Sequence, residues 1–341
     1  MRFDIFSRVT PKVGIDLGTT RTRIWSNESG FIVDEATWIA VDQHSGKVVA
    51  VGDEAAAMTG RVGESVKVFS PIDHGEVIDH ELLQAFLKVL LQRVFTSLTF
   101  FRPLVMVSVP AGLSPAKREI VVESLFGVGA KEVFTMAQPL AAAIGAGVPI
   151  ADSSGTFLFH LGGGVVEAAV ISLGSMVISD ETTKAGQYLD QKIVAAIKQE
   201  KELVISLRTA EMLKQMVGSL DEQATRTLLT SGQDLHRGSP KEVSVEAVVL
   251  FELLEKVADH FQQLLQRLLS DVPPELTVDI IDKGLLLTGG LAQLHGLSEY
   301  LVDKLGVPVA SVDEPEKAVV KGLATALEHL DEFRESIGYQ L

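Results

Sequence analysis

Residues 14–22 read Gly-Ile-Asp-Leu-Gly-Thr-Thr-Arg-Thr, and this stretch decides how the rest of the chain is interpreted. An apolar strand carries Asp16 near its end and runs into a turn of Gly18, Thr19 and Thr20. Glycine lets the backbone approach phosphate oxygens closely, and consecutive backbone N–H groups form an anion-binding nest. A β-hairpin that needs glycine only for a positive φ is the simpler interpretation of the same residues. Taken alone, the turn is weak to moderate evidence for a nucleotide site.

Residues 159–167 repeat this plan as Phe-His-Leu-Gly-Gly-Gly-Val-Val-Glu, with His160 where the first copy has Asp16. Two further matches are predicted after the glycines, namely Val165 with Thr19 and Val166 with Thr20. Imidazole is a poor ligand for a hard cation such as Mg²⁺, and valine has no hydroxyl. The second copy is therefore predicted to lack an acid and two hydroxyls. A histidine that is buried in the core or cleft with its ring nitrogens hydrogen-bonded is an equally good interpretation of His160.

A third glycine turn, Thr288-Gly289-Gly290, follows the apolar strand Leu285–Leu287. Such a turn can pass beneath an adenine or a ribose without a side-chain clash, or it can simply connect a strand to a helix. Three such turns favour an α/β fold with a duplicated strand–turn–strand unit and a nucleotide cleft between the copies.

Three other polar positions are candidate site residues. Gln138 follows a predicted strand, where its amide would orient an attacking water, although glutamine before proline is ordinary at a helix N-terminus. Glu211 and Lys214 lie on one predicted helix, where they would line a base or ribose or would form a solvated ion pair. Asp16 would hold Mg²⁺ through water, because Mg²⁺ keeps much of its hydration shell in proteins.

Composition narrows the class of protein. The 341 residues suffice for two domains, and 46% of them are apolar, which supports a large core. The net charge of −15 argues against a nucleic-acid partner, and the absence of cysteine excludes disulfides, thiolate nucleophiles and cysteine metal sites. The apolar run over residues 157–178 is predicted to form two buried strands, because Gly-Gly-Gly and Glu167 interrupt it. Residues 1–9 lack the apolar core of a signal peptide.

Secondary structure is predicted to alternate between strands and helices. The strands are Val13–Asp16, Thr22–Trp25, Phe31–Val41, Val48–Val51, Leu104–Val109, Val133–Thr135 and Gly284–Leu287. The helices are Glu81–Phe95, Ser114–Leu125, Pro139–Gly147, Leu189–Lys201, Thr209–Val217, Ser244–Leu269, Gln293–Leu305 and Glu316–Leu330. Ser114 and Ser244 are predicted to cap their helices.

Aromatic residues suggest a membrane contact. Phe100 and Phe101 lie in a predicted loop, where exposure would favour a membrane or partner, and Phe3 and Phe6 would add a second anchor. Packing of both groups into the core is the alternative.

The three glycine turns, in this order and spacing, resemble the actin/DnaK-type ATPase superfamily. Within it the chain is similar to the MreB family of bacterial actins. The segments that carry the resemblance are GIDLGTTRT (14–22), SPIDHGEVID (70–79), AKEVFTMAQPLAAAIGAGVPI (130–150), RTAEMLKQMVG (208–218) and LLLTGGLAQLHGL (285–297). The first resembles the family's phosphate motif, the third its water-positioning segment, and the last two its adenosine motifs.

This resemblance implies an actin-like ATPase fold, with two duplicated RNase H-like domains around ATP and Mg²⁺. Domain I would comprise residues 1–148 and 315–341, with an outer subdomain over 31–69. Domain II would comprise residues 149–314, with an outer subdomain over 181–243. Asp16 and Gln138 would serve the chemistry. The residues implied to bind nucleotide are Gly18, Thr19, Thr20, Gly162, Gly163, Gly164, Glu211, Lys214, Gly289 and Gly290.

The function implied is a cytoskeletal filament that organises cell shape and cell-wall synthesis. Its implied location is cytoplasmic, at the inner face of the cytoplasmic membrane, and Phe100 and Phe101 fall on the family's membrane-inserting loop. Its implied partners are further copies of itself, the membrane, a second MreB paralogue and cell-wall synthesis proteins.

The chain departs from the family pattern at positions that bear on hydrolysis. Family members usually have Asp at His160, Thr at Val165, Glu at Gln138, Asn at Arg21 and Gly at Leu291. These departures imply that ATP or ADP binds while hydrolysis is slow or absent. An active ATPase of the same fold and a non-polymerising actin-like adaptor stay open as alternatives.

Overall fold

The computed structural model describes residues 10–94, 102–333 and 338–340. The chain divides into two compact units. Unit 1 takes the described residues up to Asp152, together with Leu173–Ser175 and the described residues from Lys317 onward. Unit 2 takes Ser153–Ser172 and Met176–Glu316. The predicted outer subdomains stay predictions.

Unit 1 is built on a mixed sheet with helices packed on it. Its strands are β1 (Lys12–Leu17), β2 (Arg21–Ser26), β3 (Gly30–Ala36), β4 (Ile39–Asp42), β5 (Val48–Val51), β6 (Val66–Phe69), β7 (Ile72–Asp73), β8 (Glu76–Val77), β9 (Leu104–Val109), β10 (Glu132–Ala137) and β19 (Gly338–Gln340). Its helices are α1 (Asp53–Met58), α2 (His80–Val94), α3 (Pro115–Gly127), α4 (Gln138–Gly145) and α10 (Ala318–Glu328).

The main sheet of unit 1 has the strand order β19-β10-β9-β1-β2-β3. The central strands β1, β9 and β10 are parallel, whereas β2 runs antiparallel to β1. Helices α4 and α10 cross so closely that their contact requires glycine. A Cβ at Gly145 would collide with the backbone of Ala318, and a Cβ at Gly322 would collide with the backbone of Ala141. Parallel strands end at the same edge of a sheet, so β1, β9 and β10 bring their carboxyl ends together.

Unit 2 repeats the sheet plan. Its strands are β11 (Thr156–Leu161), β12 (Val166–Ser172), β13 (Ser175–Thr182), β14 (Leu203–Val204), β15 (Thr227–Asp234), β16 (Pro240–Glu246), β17 (Leu285–Thr288) and β18 (Val309–Ser311). Its helices are α5 (Gly186–Lys201), α6 (Leu207–Met216), α7 (Ala247–Ser270), α8 (Pro274–Lys283) and α9 (Leu297–Leu305), with 3-10 turns at Gly290–Gln293 and Pro315–Lys317.

The main sheet of unit 2 has the order β13-β12-β11-β17-β18. As in unit 1, the central strand β11 pairs antiparallel with the strand that follows its glycine turn and parallel with a later strand. Both β11 and β12 are buried along their whole length, as predicted, but a third strand, β13, begins within the same apolar run at Ser175 and is partly exposed. Among the described residues, no helix is long and apolar enough to cross a membrane.

Three sequence predictions of secondary structure are wrong at a boundary. The segment Pro240–Glu246 is a strand paired with β15, so α7 begins only at Ala247, and Ser244 bonds Thr227 at 2.8 Å instead of capping a helix. Tertiary pairing here overrides the local capping signal. The predicted helix Gln293–Leu305 begins only at Leu297, after a 3-10 turn. The predicted strand Phe31–Val41 breaks into β3 and β4.

Candidate functional site

The first glycine turn closes with a backbone hydrogen bond from Gly18 N to Arg21 O at 3.2 Å. Thr37, the residue directly after β3, stabilises this turn. Its hydroxyl donates to Gly18 O at 2.7 Å and bonds the Thr22 hydroxyl at 2.9 Å. Thr37 is fully buried, and no local sequence pattern indicated its role. The shape of the turn is therefore set within unit 1.

Asp16 is buried at the end of β1 with both carboxylate oxygens facing polar groups. Its Oδ1 accepts from the Ser108 hydroxyl at 3.0 Å, and its Oδ2 lies 3.7 Å from an Arg23 nitrogen. Burial raises the pKa of the Asp16 carboxyl above its usual range, although Arg23 and Ser108 oppose that effect. Ser108 was missed by the sequence analysis, yet it is the polar residue within an apolar strand that runs parallel to β1.

The two threonines of the turn have different surroundings. Thr19 is buried, and its Oγ1 accepts from Gly75 N at 2.9 Å, which leaves the hydroxyl hydrogen available as a donor. Thr20 is half-buried, and its carbonyl accepts from Thr37 N at 2.9 Å. Arg21 is engaged inside unit 1, since its guanidinium bonds Asp34 at 2.6 Å and reaches Asp53 at 3.1 Å.

Gln138 is the first residue of α4, directly after β10, and is only 7% exposed. Within the described part of the chain, no residue hydrogen-bonds its side-chain amide. The β-ladder pairs Ile15 with Val107, the residues directly before Asp16 and Ser108, and it pairs Ser108 with Met136 on β10. Asp16, Ser108 and Gln138 therefore come from the carboxyl ends of three parallel strands, the edge where α/β proteins bind ligands.

The second glycine turn closes in the same way, with Gly162 N donating to Val165 O at 3.1 Å. His160 pairs across the ladder with Glu167, as Asp16 pairs with Arg23 in the first copy. His160 therefore does occupy the position of Asp16.

The same register corrects the predicted matches beyond the glycines. Between the two turns, Gly163 and Gly164 occupy the positions of Thr19 and Thr20, while Val165 matches Arg21 and Val166 matches Thr22. The prediction that Val165 and Val166 replace Thr19 and Thr20 is wrong, because the turn hydrogen bond fixes the count of residues in each loop. Glycines, rather than valines, stand in place of the two hydroxyl side chains.

His160 is 8% exposed, and its Nδ1 lies 3.1 Å from the Thr288 hydroxyl. The ladder pairs His160 with Thr288, and in unit 1 the Ser108 hydroxyl bonds Asp16 from the corresponding parallel strand. His160 and Thr288 thus form the counterpart of Asp16 and Ser108. Thr288 was predicted only as part of the third turn, because its pairing with His160 depends on two strands that are distant in the chain.

Helix α5 packs its first turn against the second glycine turn. Gly186 N donates to Gly162 O at 3.2 Å, and Gln187 N donates to Gly163 O at 2.8 Å. Lys214 reaches the same place from α6, because its Nζ donates to Gly186 O at 3.1 Å. The first turn of α5, held by Lys214, therefore fixes the backbone of the second glycine turn.

Lys214 does not form the solvated pair with Glu211 that sequence analysis offered as an alternative. It is 8% exposed and pairs with Asp190, a residue that sequence analysis missed, at 2.9 Å. Burial raises the pKa of Asp190 to about 6, against the opposing effect of Lys214. Glu211 is half-buried, and its carboxylate accepts a long hydrogen bond from the Gln215 amide at 3.4 Å.

The third turn lies against the second within unit 2. A Cβ at Gly289, where φ is +85°, would come within 2.5 Å of Leu161 O, so the fold itself requires glycine there. At Gly290 a Cβ would meet nothing within 4 Å, φ is not positive, and the residue is exposed. Glycine at Gly290 is therefore not required by packing, and its missing side chain leaves room for a ligand.

The donor set limits where Mg²⁺ fits. Among the described residues, no group of three or more His, Asp or Glu side chains could hold a metal ion. The first turn offers one carboxylate, Asp16, which fits a hydrated Mg²⁺ bound mainly by phosphates and water. The second turn offers His160 and Thr288 at the equivalent place, and these residues do not fit Mg²⁺.

The predicted membrane residues Phe3, Phe6, Phe100 and Phe101 lie outside the described residues.

Comparison with solved structures defines the class of protein. The crystal structure of MreB5 of Spiroplasma citri bound to AMPPNP matches with a TM-score of 0.90 and 26% identity, over 96% of this chain and 98% of that one. The MamK double helical filament matches in fold, with a TM-score of 0.78 and 20% identity, over 94% and 99% of the two chains. The chain therefore has the actin-like ATPase fold that the three glycine turns predicted.

Sequence comparison then gives the family. The model of the MreB/Mbl protein family matches residues 10–335. The cell shape-determining protein Mbl of Bacillus cereus is 34% identical over 94% of this chain and 96% of its own length. The cell shape-determining protein MreB of Escherichia coli is 33% identical over 94% of each chain. The chain belongs to the MreB/Mbl family, and the resemblance is confirmed.

Proposed function

We propose that this chain is a nucleotide-binding cytoskeletal protein that binds ATP or ADP through its three glycine turns. One observation carries the proposal: both units close the same four-residue turn with the same hydrogen bond, each after a buried strand. A match to structures of MreB5 bound to AMPPNP and to ADP supports it.

The first and second turns are proposed to bind the phosphates, and the third turn is proposed to bind the nucleoside. In unit 1, the backbone N–H groups and the hydroxyls of Thr19 and Thr20 donate to phosphate oxygens, while the Gly18 N–H closes the turn. In unit 2, Gly162, Gly163 and Gly164 allow close approach of phosphates, and the first turn of α5 holds this glycine backbone in place. Gly289 and Gly290, with Glu211, contact the nucleoside, for which the open space at Gly290 leaves room.

Hydrolysis is proposed to be slow or absent. Gln138 is buried, and no residue in the described ranges bonds its amide, so the amide can still orient a water molecule. Asp16 would hold Mg²⁺ through water, and the ion would neutralise phosphate charge there. In the second turn, His160 replaces Asp16 of the first copy and Gly163 replaces Thr19. The second turn therefore contributes no carboxylate to metal binding.

The filament and membrane roles follow from the family. We propose that the chain polymerises at the inner face of the cytoplasmic membrane and organises cell shape and cell-wall synthesis, with cell-wall synthesis proteins and a second MreB paralogue as partners. Phe3, Phe6, Phe100 and Phe101 are the proposed membrane contacts. Nucleotide occupancy would then govern assembly more than nucleotide turnover does.

Sedimentation of the purified chain with ATP, ADP or no nucleotide, with and without anionic lipid vesicles, tests the proposal. Nucleotide-dependent pelleting on vesicles supports it, and pelleting lost in Phe100→Ser/Phe101→Ser locates the membrane contact. A chain that binds nucleotide but never pellets would be an adaptor instead. Steady phosphate release comparable to that of E. coli MreB, assayed in parallel, would contradict slow hydrolysis.

A further inference from the structure

The two equivalent strand ends carry opposite arrangements of charge. In unit 1, the acid Asp16 stands on the first strand of the pair and the cation Arg23 stands opposite it. In unit 2, His160 stands on the first strand and the acid Glu167 stands opposite it. His160 is 8% exposed and Glu167 is fully buried, so both ionisable groups lie in the interior.

We propose that His160, as an imidazolium, is the cation that meets nucleotide phosphate at the second turn. Binding at this turn then does not depend on a divalent cation, and it weakens as the imidazole loses its proton. The inference rests on the proposed function, because it requires a nucleotide to bind.

The position of the imidazole ring supports this role. Its Nδ1 is held by the Thr288 hydroxyl at 3.1 Å, which fixes the orientation of the ring. Its Nε2 lies 3.7 Å from the point that a Cβ on Gly162 would occupy. A phosphate oxygen that approaches the glycine backbone of this turn therefore comes within reach of Nε2.

One carboxyl stands opposite the ring across the ladder. Antiparallel partners share a face of the sheet, with their Cβ atoms about 4.5–5.5 Å apart, so Glu167 is the nearest carboxyl by register. A neighbouring carboxylate favours the charged imidazole, and a buried carboxylate in turn requires a nearby cation or hydrogen bonds. From β17, Thr288 contributes a hydroxyl without charge.

The other charged pair beside the turn is balanced. Lys214 from α6 and Asp190 from α5 bond each other at 2.9 Å behind Gly186. A carboxylate at position 160, as in the usual family pattern, would instead repel phosphate unless a metal ion lay between them. Replacing this acid by histidine therefore substitutes a side-chain cation for a bound one.

The test is equilibrium binding of a fluorescent ADP analogue to the full chain, with Mg²⁺ or with EDTA, across pH 6 to 8. Histidine is the side chain that ordinarily changes charge in this range. A hydrogen bond to a charged group is worth about 10- to 100-fold in affinity, so we expect wild-type binding in EDTA to weaken by roughly that factor between pH 6 and 8.

Two variants provide matched comparisons. His160→Gln keeps a polar group near Thr288 but carries no charge. Its affinity for the ADP analogue is expected to be the same at pH 6 and pH 8, and as weak as that of the wild type at pH 8. His160→Asp restores the acid, and it is expected to bind well only with Mg²⁺. Glu167→Gln is expected to move the loss of affinity to lower pH. Thermal melting of each nucleotide-free variant separates loss of binding from loss of fold.

The outcomes separate the inference from the function. Wild-type binding that requires Mg²⁺ as strictly as His160→Asp does, with no change across this pH range, would overturn the inference and leave nucleotide binding intact. No binding of the ADP analogue under any condition by folded wild-type protein would overturn the proposed function itself. Since the wild-type pH and EDTA series needs no variant, misfolding of a variant does not obscure the result.

Discussion

Substitution of the two adjacent glycines of the third turn distinguishes a residue that the fold requires from one that the ligand requires. At Gly289, alanine would adopt φ of +85° and place its Cβ 2.5 Å from the carbonyl oxygen of Leu161. Leu161 lies in β11, which is paired on both sides by β12 and β17, so its backbone cannot move away easily. At Gly290, alanine meets nothing within 4 Å, and φ is not positive.

The expected magnitudes differ accordingly. A left-handed backbone costs about 1–2 kcal/mol for a residue with a Cβ, and overpacking costs about 1–3 kcal/mol. Gly289→Ala should therefore lower the free energy of unfolding of unit 2 by about 2–5 kcal/mol. Gly290→Ala should change it by less than about 0.5 kcal/mol, as an exposed substitution usually does.

Chemical denaturation followed by circular dichroism measures the first effect, and binding of the ADP analogue measures the second. Gly290→Ala is expected to keep its stability and to bind the nucleotide at least tenfold more weakly, because its methyl group occupies the space left for the nucleoside. Equal stability of the two variants would refute the packing argument for Gly289. Unchanged affinity in Gly290→Ala would refute the assignment of the third turn to the nucleoside.

Three further results are expected from single residues. Ser108→Ala should destabilise the nucleotide-free chain by about 1–3 kcal/mol in chemical denaturation, because it removes the donor to the buried carboxylate of Asp16; stability equal to wild type would contradict this. Because the pKa of Asp190 is raised to about 6 from 3.8, its folded form binds more protons than its unfolded form, so its contribution to stability falls as pH rises from about 4 to about 6. Asp190→Asn should remove this pH dependence of the free energy of unfolding. It should also lower stability at every pH, because Lys214 is then buried without its partner. An unchanged slope of stability against pH between pH 4 and 6 would show that another group is responsible. Gln138→Ala should leave thermal stability within about 1 kcal/mol of wild type, since no described residue bonds its amide, and should reduce whatever phosphate release the wild type shows; unchanged release would remove Gln138 from the chemistry.

Much of the fold could be predicted from local pattern. The spacing of apolar residues placed α2 to within a residue or two, and Ser114 caps α3 as expected, its hydroxyl accepting from Lys117 N. Both signals are local, since they depend on residues within one or two helical turns. The same reasoning failed at Ser244, because its segment pairs as a strand with β15, and its hydroxyl bonds Thr227, seventeen positions earlier in the chain (227 to 244). The strands β14, β15 and β16 were missed for the same reason, because their pairing joins segments that are distant in the chain.

The sequence by itself determined that three glycine turns follow apolar strands, and that His160 stands in the second where Asp16 stands in the first. These facts need only residue type and order. Only the tertiary structure decided which residues of the two turns correspond, because the register depends on hydrogen bonds such as Gly162 N to Val165 O. It also decided that Lys214 is buried against Asp190 instead of pairing with its helical neighbour. In both cases the deciding contact joins parts of the chain whose proximity is created by packing of the sheet and helices, and residue order alone cannot supply it.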